Sequence, residues 1–211
     1  LGPDYQYSFS QSFQEFNVET DDGAKLNALH FKNKRPKGVI LCFHGNAGDL
    51  SRWGEIATFF VAKNYDVVVM DYRTYGKSKG KLSENALYSD AQLFYDYTLK
   101  SYNENDIVVY GRSLGTGLAA YLASKNKPKK LILETPYYSL VEIAKGRFPF
   151  LPVETLLKYR IPSNEFILNV ACPITIFHGT DDGVVPYESG KRLFEAIDNP
   201  EKQFFTIDGG E

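Results

Sequence analysis

Ile107-Val108-Val109-Tyr110-Gly111-Arg112-Ser113-Leu114-Gly115-Thr116-Gly117-Leu118-Ala119-Ala120-Tyr121-Leu122-Ala123-Ser124 decides how this chain is read. A β-branched apolar run ends in Gly-x-Ser-x-Gly, and a helical pattern rich in alanine follows. Strand, sharp turn and helix in that order form a nucleophile elbow, with the middle residue at the apex and its hydroxyl exposed. Gly111 and Gly115, two before and two after the serine, keep strand and helix from colliding, and Gly117 gives further room. Ser113 is therefore a candidate covalent nucleophile. The alternative is an ordinary loop serine between glycines. The strand before it and the helix after it argue for the elbow.

Outward from this stretch, other apolar runs have the look of strands covered on both faces: Val39 to Phe43, Val67 to Met70, Leu131 to Leu133, Ile174 to Phe177 and Phe204 to Ile207. Helical patterns fall between them, at Ser51 to Lys63, Glu84 to Lys100, Leu114 to Ser124 and Tyr187 to Ile197. Near the start, Phe13 to Thr20 alternates polar and apolar residues, Asp21-Asp22-Gly23 signals a turn, and Leu26 to Phe31 gives a second strand of an antiparallel hairpin. The alternation predicts a mostly parallel α/β sheet, with an antiparallel second strand and helices on both faces. Ligands of such sheets bind beyond the carboxyl ends of the strands.

The 211 residues suffice for one α/β domain spanning 1–211. Composition is that of a folded chain, 43% apolar and 15% aromatic. With 24 basic against 26 acidic residues there is no basic field for a nucleic-acid partner. The clusters Lys32-Asn33-Lys34-Arg35 and Lys125 to Lys130 read as solvated loops. No apolar run approaches the roughly 20 residues that cross a bilayer, and no signal peptide is present in these residues. The fragment is expected to be soluble. The first residue is Leu1, which suggests that upstream sequence was removed. Cys42 and Cys172 read as buried free thiols, without zinc spacing or a disulfide framework.

Tyr137 to Val170 breaks the rhythm with Pro149, Pro152 and Pro162 and several aromatics. It reads either as a small lid over the carboxyl edge, with Phe148 and Phe150 lining an acyl pocket, or as a longer crossover helix with core-facing aromatics.

A serine attacking a carbonyl creates an oxyanion that needs donors already aimed at it. The backbone N–H of Leu114, next after the serine, is one. Asn46, in the glycine-rich loop His44-Gly45-Asn46-Ala47-Gly48 after the third strand, is the expected second. The same glycines could simply turn the chain into the next helix. The orienting acid should come from a later strand end. His178-Gly179-Thr180-Asp181-Asp182-Gly183-Val184-Val185-Pro186 offers Asp182, with Asp181 then capping the loop. Glu134, at the end of Leu131 to Leu133, is a rival. The base is the difficulty. The three histidines, His30, His44 and His178, lie in a strand or before a glycine at a strand end. The expected place follows Phe204 to Ile207, where Asp208-Gly209-Gly210-Glu211 closes the sequence. Either the histidine comes just beyond Glu211, with a final helix after it, or the chain is a dead enzyme.

Together these segments resemble the α/β-hydrolase superfamily over almost the whole chain. More narrowly, Phe43 to Gly48, Asp71-Tyr72-Arg73-Thr74-Tyr75-Gly76-Lys77-Ser78, Gly111 to Gly117 and His178 to Asp182 resemble the small abhydrolase-domain and bud-emergence-type serine hydrolases. Thr74 stands where that family's tyrosine-rich turn usually has Gly. The resemblance implies acyl transfer: Ser113 attacks, the N–H groups of Asn46 and Leu114 hold the oxyanion, Asp182 orients the histidine, and water releases the acyl group. It implies an ester or thioester of a small molecule or an acylated substrate, and no metal or organic cofactor. It also implies that any membrane association would come through an amino-terminal anchor. A serine peptidase of prolyl-oligopeptidase-like type and a non-catalytic binding protein on the same fold are the alternatives. A serine nucleophile excludes dehalogenase and epoxide-hydrolase chemistry, which needs a carboxylate.

Overall fold

Asp21-Asp22-Gly23 turns the chain as its composition dictates: Gly23 takes φ +80°, and Thr20 Oγ1 accepts the N–H of Ala24 at 2.9 Å. The flanking strands β1 (Phe13–Glu19) and β2 (Lys25–Phe31) pair antiparallel from Phe13↔Phe31 to Glu19↔Lys25. The computed structural model describes residues 1–211 and continues with β3 (Val39–Phe43), α1 (Leu50–Ala62), β4 (Asp66–Met70), α2 (Glu84–Leu99), β5 (Ile107–Arg112), α3 (Leu114–Lys125) and β6 (Lys130–Glu134). Three short helices follow, α4 (Leu140–Arg147), α5 (Val153–Leu156) and α6 (Ser163–Phe166). The chain then returns to the sheet through β7 (Ile174–Gly179), α7 (Tyr187–Ala196) and β8 (Lys202–Ile207).

The strands form one sheet in the order β1-β2-β4-β3-β5-β6-β7-β8. β2 runs antiparallel to both neighbours, and every pairing from β4 to β8 is parallel. Side chains alternate between two cores. Leu41, Val109, Leu133 and Ile176 point to the face covered by α2, α3 and α7. Ile40, Cys42, Val69, Val108 and Tyr110 point to the face covered by α1. This period of two, with both faces apolar, is why the central strands read as unbroken apolar runs. On the α1 face of β7 and β8, Phe177 stacks on Phe205 at 5.1 Å, while Phe205 and Ile207 stay exposed. The two cysteines are free and buried. No helix is long and apolar enough to cross a membrane.

Strained backbone helps position the site, at Ser113 and Thr74 among other left-handed residues. Ser113 sits at φ +49°, ψ −117°, between β5 and α3. Thr74 takes φ +73°, a left-handed conformation that costs a β-branched residue and that a Gly would adopt freely. The stretch from Tyr137 to Val170 is not one crossover helix: its prolines cut it into α4, α5 and α6, with Pro152 and Pro162 each standing directly before a helix.

Candidate active site

The elbow is held by backbone contact. A Cβ on Gly115 would lie 2.1 Å from Phe43 O, and one on Gly111 would lie 2.5 Å from Gly115 O. Any side chain there would push β3, β5 and α3 apart. Ser113 N–H donates to Glu134 O at 2.9 Å, which ties the apex to β6. The serine hydroxyl itself is in no hydrogen bond with the protein, and α3 begins immediately after it, so the positive end of the helix dipole lies at the apex. Leu114 is the first residue of α3, and its N–H has no acceptor within the helix.

The loop after β3 faces this apex. Gly45 runs so close that a Cβ on it would be 3.6 Å from Ser113 Cβ and 3.3 Å from the Trp53 ring. Asn46 N–H has no acceptor in the protein, and its side-chain Oδ1 accepts the Tyr75 hydroxyl at 2.6 Å. Asp49 caps α1 by accepting Ser51 N–H at 2.9 Å, so the helix that the glycines lead into begins one residue earlier than its sequence pattern suggests. Asn46 and Leu114 both line one cavity of about 180 Å³. Apart from Asn46 its walls are apolar, with Tyr72, Leu87, Leu140, Leu157, Tyr159 and Ile161 among them. Phe148 and Phe150 are not among these walls. Both are exposed, Phe150 by 98%, so the expectation that they line an acyl pocket is corrected. The wall residues of that segment are the aliphatic and tyrosine side chains on either side of the Phe148–Phe150 tip.

A buried pair beneath the loop was not legible as such. His44 Nδ1–H donates to Gly45 O at 2.7 Å, and His44 Nε2 lies 3.3 Å from Asp71 Oδ1, with both side chains fully buried. Tyr72 covers the ring at a centroid distance of 4.2 Å and its hydroxyl donates to His44 O at 2.7 Å. Burial pushes the Asp71 carboxyl up, and contact with His44 pulls it partly back. This cluster fixes the backbone that carries Asn46. The sequence signal for it was the Asp71-Tyr72 pair at the end of β4, one strand away from His44.

Two strands along the sheet from the elbow, Asp182 follows β7. Its Oδ1 accepts Val184 N–H and Val185 N–H, both at 2.8 Å, while Oδ2 lies 3.8 Å from His178 Nε2. Loop capping thus falls to Asp182 itself, not to Asp181 as expected. Asp181 is exposed and its carboxylate accepts only the Thr180 hydroxyl. Glu134, the rival acid, accepts the Tyr110 hydroxyl and pairs with Arg112 at 3.2 Å, so its charge is already engaged. The histidines are tied elsewhere. His178 donates from Nε2 to Val185 O at 2.9 Å, and His30 bridges the Tyr97 and Tyr102 hydroxyls at 3.1 and 3.0 Å. None is hydrogen-bonded to Ser113. The chain beyond β8 lies against the Asp182 loop: Asp181 N–H donates to Gly210 O at 3.0 Å, and Gly209 N–H donates to Thr180 Oγ1 at 2.9 Å.

The sheet order, the elbow after β5 and the facing loop after β3 define an α/β hydrolase. The chain belongs to the Hydrolase_4 family, described as serine aminopeptidase, S33, which it matches over residues 34–166. It is 34% identical over 198 residues to an uncharacterized protein of Mycobacterium tuberculosis, covering 91% of this chain and 69% of that protein. It is 33% identical over 186 residues to the lysophosphatidylserine lipase ABHD12 of Danio rerio, covering 78% of this chain and 48% of the lipase, so it spans about half of that relative. Among solved structures, the Pyrococcus furiosus esterase Pf2001 superposes with a TM-score of 0.77 at 20% identity, over 99% of this chain and 90% of that one. Est1E from Butyrivibrio proteoclasticus, solved with ferulic acid, superposes with a TM-score of 0.76 at 21% identity, over 92% and 89%. At these identities the structural likeness concerns the fold.

Proposed function

We propose that this protein is a serine esterase or thioesterase that works through an acyl-enzyme. The observation that carries the reading is the apolar cavity bounded by both candidate donors, Asn46 and Leu114, the latter next in the chain to the strained Ser113. Ser113 Oγ attacks the acyl carbon, and the developing oxyanion takes the N–H groups of Asn46 and Leu114, each worth roughly 3–4 kcal/mol of barrier. Strain at the apex keeps the hydroxyl presented without a conformational search. Asp182 is the acid: two backbone N–H groups hold one oxygen and leave Oδ2 without a hydrogen bond. β5 and β7 are separated by β6 alone, about 10 Å across the sheet. One imidazole with a hydrogen bond at each nitrogen bridges such a gap. The base in this reading is a histidine following Glu211, and the contacts of Gly209 and Gly210 with Thr180 and Asp181 support that placement. The histidine takes the Ser113 proton and gives it to the alcohol or thiol that leaves as the scissile bond breaks; water then attacks the acyl-enzyme with the same histidine as base, releasing the acid and restoring the Ser113 hydroxyl.

The relatives support an ester over a peptide only broadly, since they include esterases, a lipase and a family described as an aminopeptidase. The cavity favours acyl groups. No carboxylate lines it, so the protonated amino terminus that an aminopeptidase must hold finds no counter-charge. Residues 137–170 act as a small lid whose inner side supplies Leu140, Leu157, Tyr159 and Ile161 to the cavity. The cavity, of about 180 Å³ and walled almost wholly by apolar side chains, has room for the proximal carbons of an acyl chain and not for a long chain as a whole.

A panel of p-nitrophenyl esters from acetate to palmitate, with aminoacyl p-nitroanilides beside it, tests this on the full-length protein. The expected result is kcat/KM that rises with acyl length until the cavity is filled and then levels, with no anilide cleavage. Leu157→Trp, which fills the cavity, should move the plateau toward acetate. Preferential cleavage of the anilides would favour the peptidase reading, and no turnover of any ester would favour a binding protein.

A further inference from the structure

The segment that walls the cavity from inside presents the opposite character outside. Between α4 and α5, Phe148 is 51% exposed, Phe150 98% and Leu151 53%, and Leu156 follows at 64%. None of these side chains belongs to either hydrophobic core, and α4 itself buries no residue. Single exposed apolar residues need no explanation, but four within nine positions form a patch. Pro149 and Pro152 bracket Phe150-Leu151 and restrict the backbone, so the tip is held ready rather than collapsed.

Charge singles out the partner. Residues 145–160 carry Lys145, Arg147, Lys158 and Arg160 against one acid, Glu154, in a chain where acids outnumber bases 26 to 24. Glu154 pairs with Lys145, leaving Arg147 and Lys158 without ion pairs. Two acids on neighbouring helices are engaged. Glu84 accepts the backbone N–H of Arg160 at 2.6 Å and of Ile161 at 3.3 Å, and Glu142 pairs with Arg192 at 2.6 Å. Arg147 also lines an open groove with Val184, itself exposed, from the loop of Asp182. Aromatic and aliphatic groups at a tip, with basic groups at its base, suit an interface: the rings enter the acyl boundary while the cations meet anionic headgroups.

We propose that the Phe148–Leu151 tip and its basic flanks dock this protein on an anionic lipid surface. The same segment then joins the surface to the cavity, since Leu140, Leu157, Tyr159 and Ile161 face the cavity from within. Docking does not depend on the esterase reading, whereas the delivery of lipid acyl groups does.

Co-sedimentation of full-length Ser113→Ala protein with vesicles tests docking apart from catalysis. The vesicles are phosphatidylcholine alone, or phosphatidylcholine with about a third phosphatidylserine, a charge density that attracts basic segments. The protein should sediment with the anionic vesicles, and raised salt should weaken this. Phe148→Ser with Phe150→Ser should weaken binding at least about tenfold, by loss of buried ring area. Arg147→Glu with Lys158→Glu should weaken it at least as much, since each basic charge strengthens binding about fivefold. Unchanged thermal melting of these surface variants keeps the comparison valid. Absence of binding to anionic vesicles would overturn the proposal, as would binding undiminished in the double-serine variant. A lipid-free dimer that the double-serine variant dissociates would also overturn it, by making a second copy the occupant.

Discussion

The ground around Ser113 and the segment from α4 to α6 meet at one cavity, yet they are built on opposite principles. Around the serine, every piece is fixed by something buried. Gly111 and Gly115 are clamped by neighbouring backbone, eight residues of α3 are buried, and His44 lies between Trp53, Tyr72 and Asp71. From α4 to α6 the helices are short, and α5 and α6 bury one residue each. The difference teaches where each property of the site resides. In the proposed esterase, placement of the chemistry comes from strand ends that packing over-determines, and choice of substrate from a more loosely packed segment.

That contrast can be broken first at its strongest point. Asp182→Asn should lower kcat about 10⁴-fold, the effect of the corresponding change in serine-protease triads, while Asp181→Asn should leave kcat nearly unchanged. Steady-state kinetics on a soluble ester reads both. Sensitivity at Asp181 or Glu134 would move the acid elsewhere. Next is His44→Ala. It removes the ring that fixes the Asn46 backbone and should cost about 10²–10³ in kcat, the scale of one lost oxyanion donor. The loss should be equal for acetate and hexanoate, because the donor acts on the carbonyl and not on the chain. A loss confined to long acyl chains would place His44 in specificity instead.

Acid sharpens the comparison by separating stability from chemistry. Burial holds the His30 imidazole down to about 4, with Lys32 adding to the effect and Asp66 opposing it. The unfolded chain takes up this proton near the ordinary value of about 6.5. The stability that neutral His30 contributes is therefore complete above about pH 6.5 and is lost as pH falls toward 4. Chemical denaturation across that range should show the decline, and His30→Gln should flatten it. The smallest effect belongs to the outer segment. Phe148→Ala and Phe150→Ala should change stability by no more than about 0.5 kcal/mol, as exposed positions do. They should also leave turnover of dissolved short esters within about twofold. Large losses in either would mean that the tip packs against the site after all.

The sequence showed the packed half far better than the loose one, for a physical reason. A strand buried on both faces, such as Leu41 in β3 or Val109 in β5, must be apolar throughout, and an elbow must have glycines at two set positions. Both constraints print directly onto the sequence, so the strands and the Ser113 turn were readable to within two residues at each end. The hairpin of β1 and β2 was readable for the same reason, through Asp21-Asp22-Gly23. Contacts between distant positions leave no such imprint. The pairing of His44 with Asp71 joins neighbouring strand ends and has no spacing rule. The exchange of capping between Asp181 and Asp182 depends on which carboxylate faces the Val184 and Val185 N–H groups. The aromatics of Tyr137 to Phe166 could face inward or outward with equal chemistry. Tyr137 is buried while Phe150 is almost wholly exposed, and only the path of the backbone between prolines decides it.

Covalent labelling of Ser113 in the full-length protein is the most direct test of the central claim. A fluorophosphonate probe forms a stable adduct only with a serine that is both activated by a base and served by an oxyanion hole. Labelling should be stoichiometric, located on the peptide containing Ser113 by mass spectrometry and abolished in Ser113→Ala. Labelling that persists in Ser113→Ala, or its absence from the native protein, would contradict that claim.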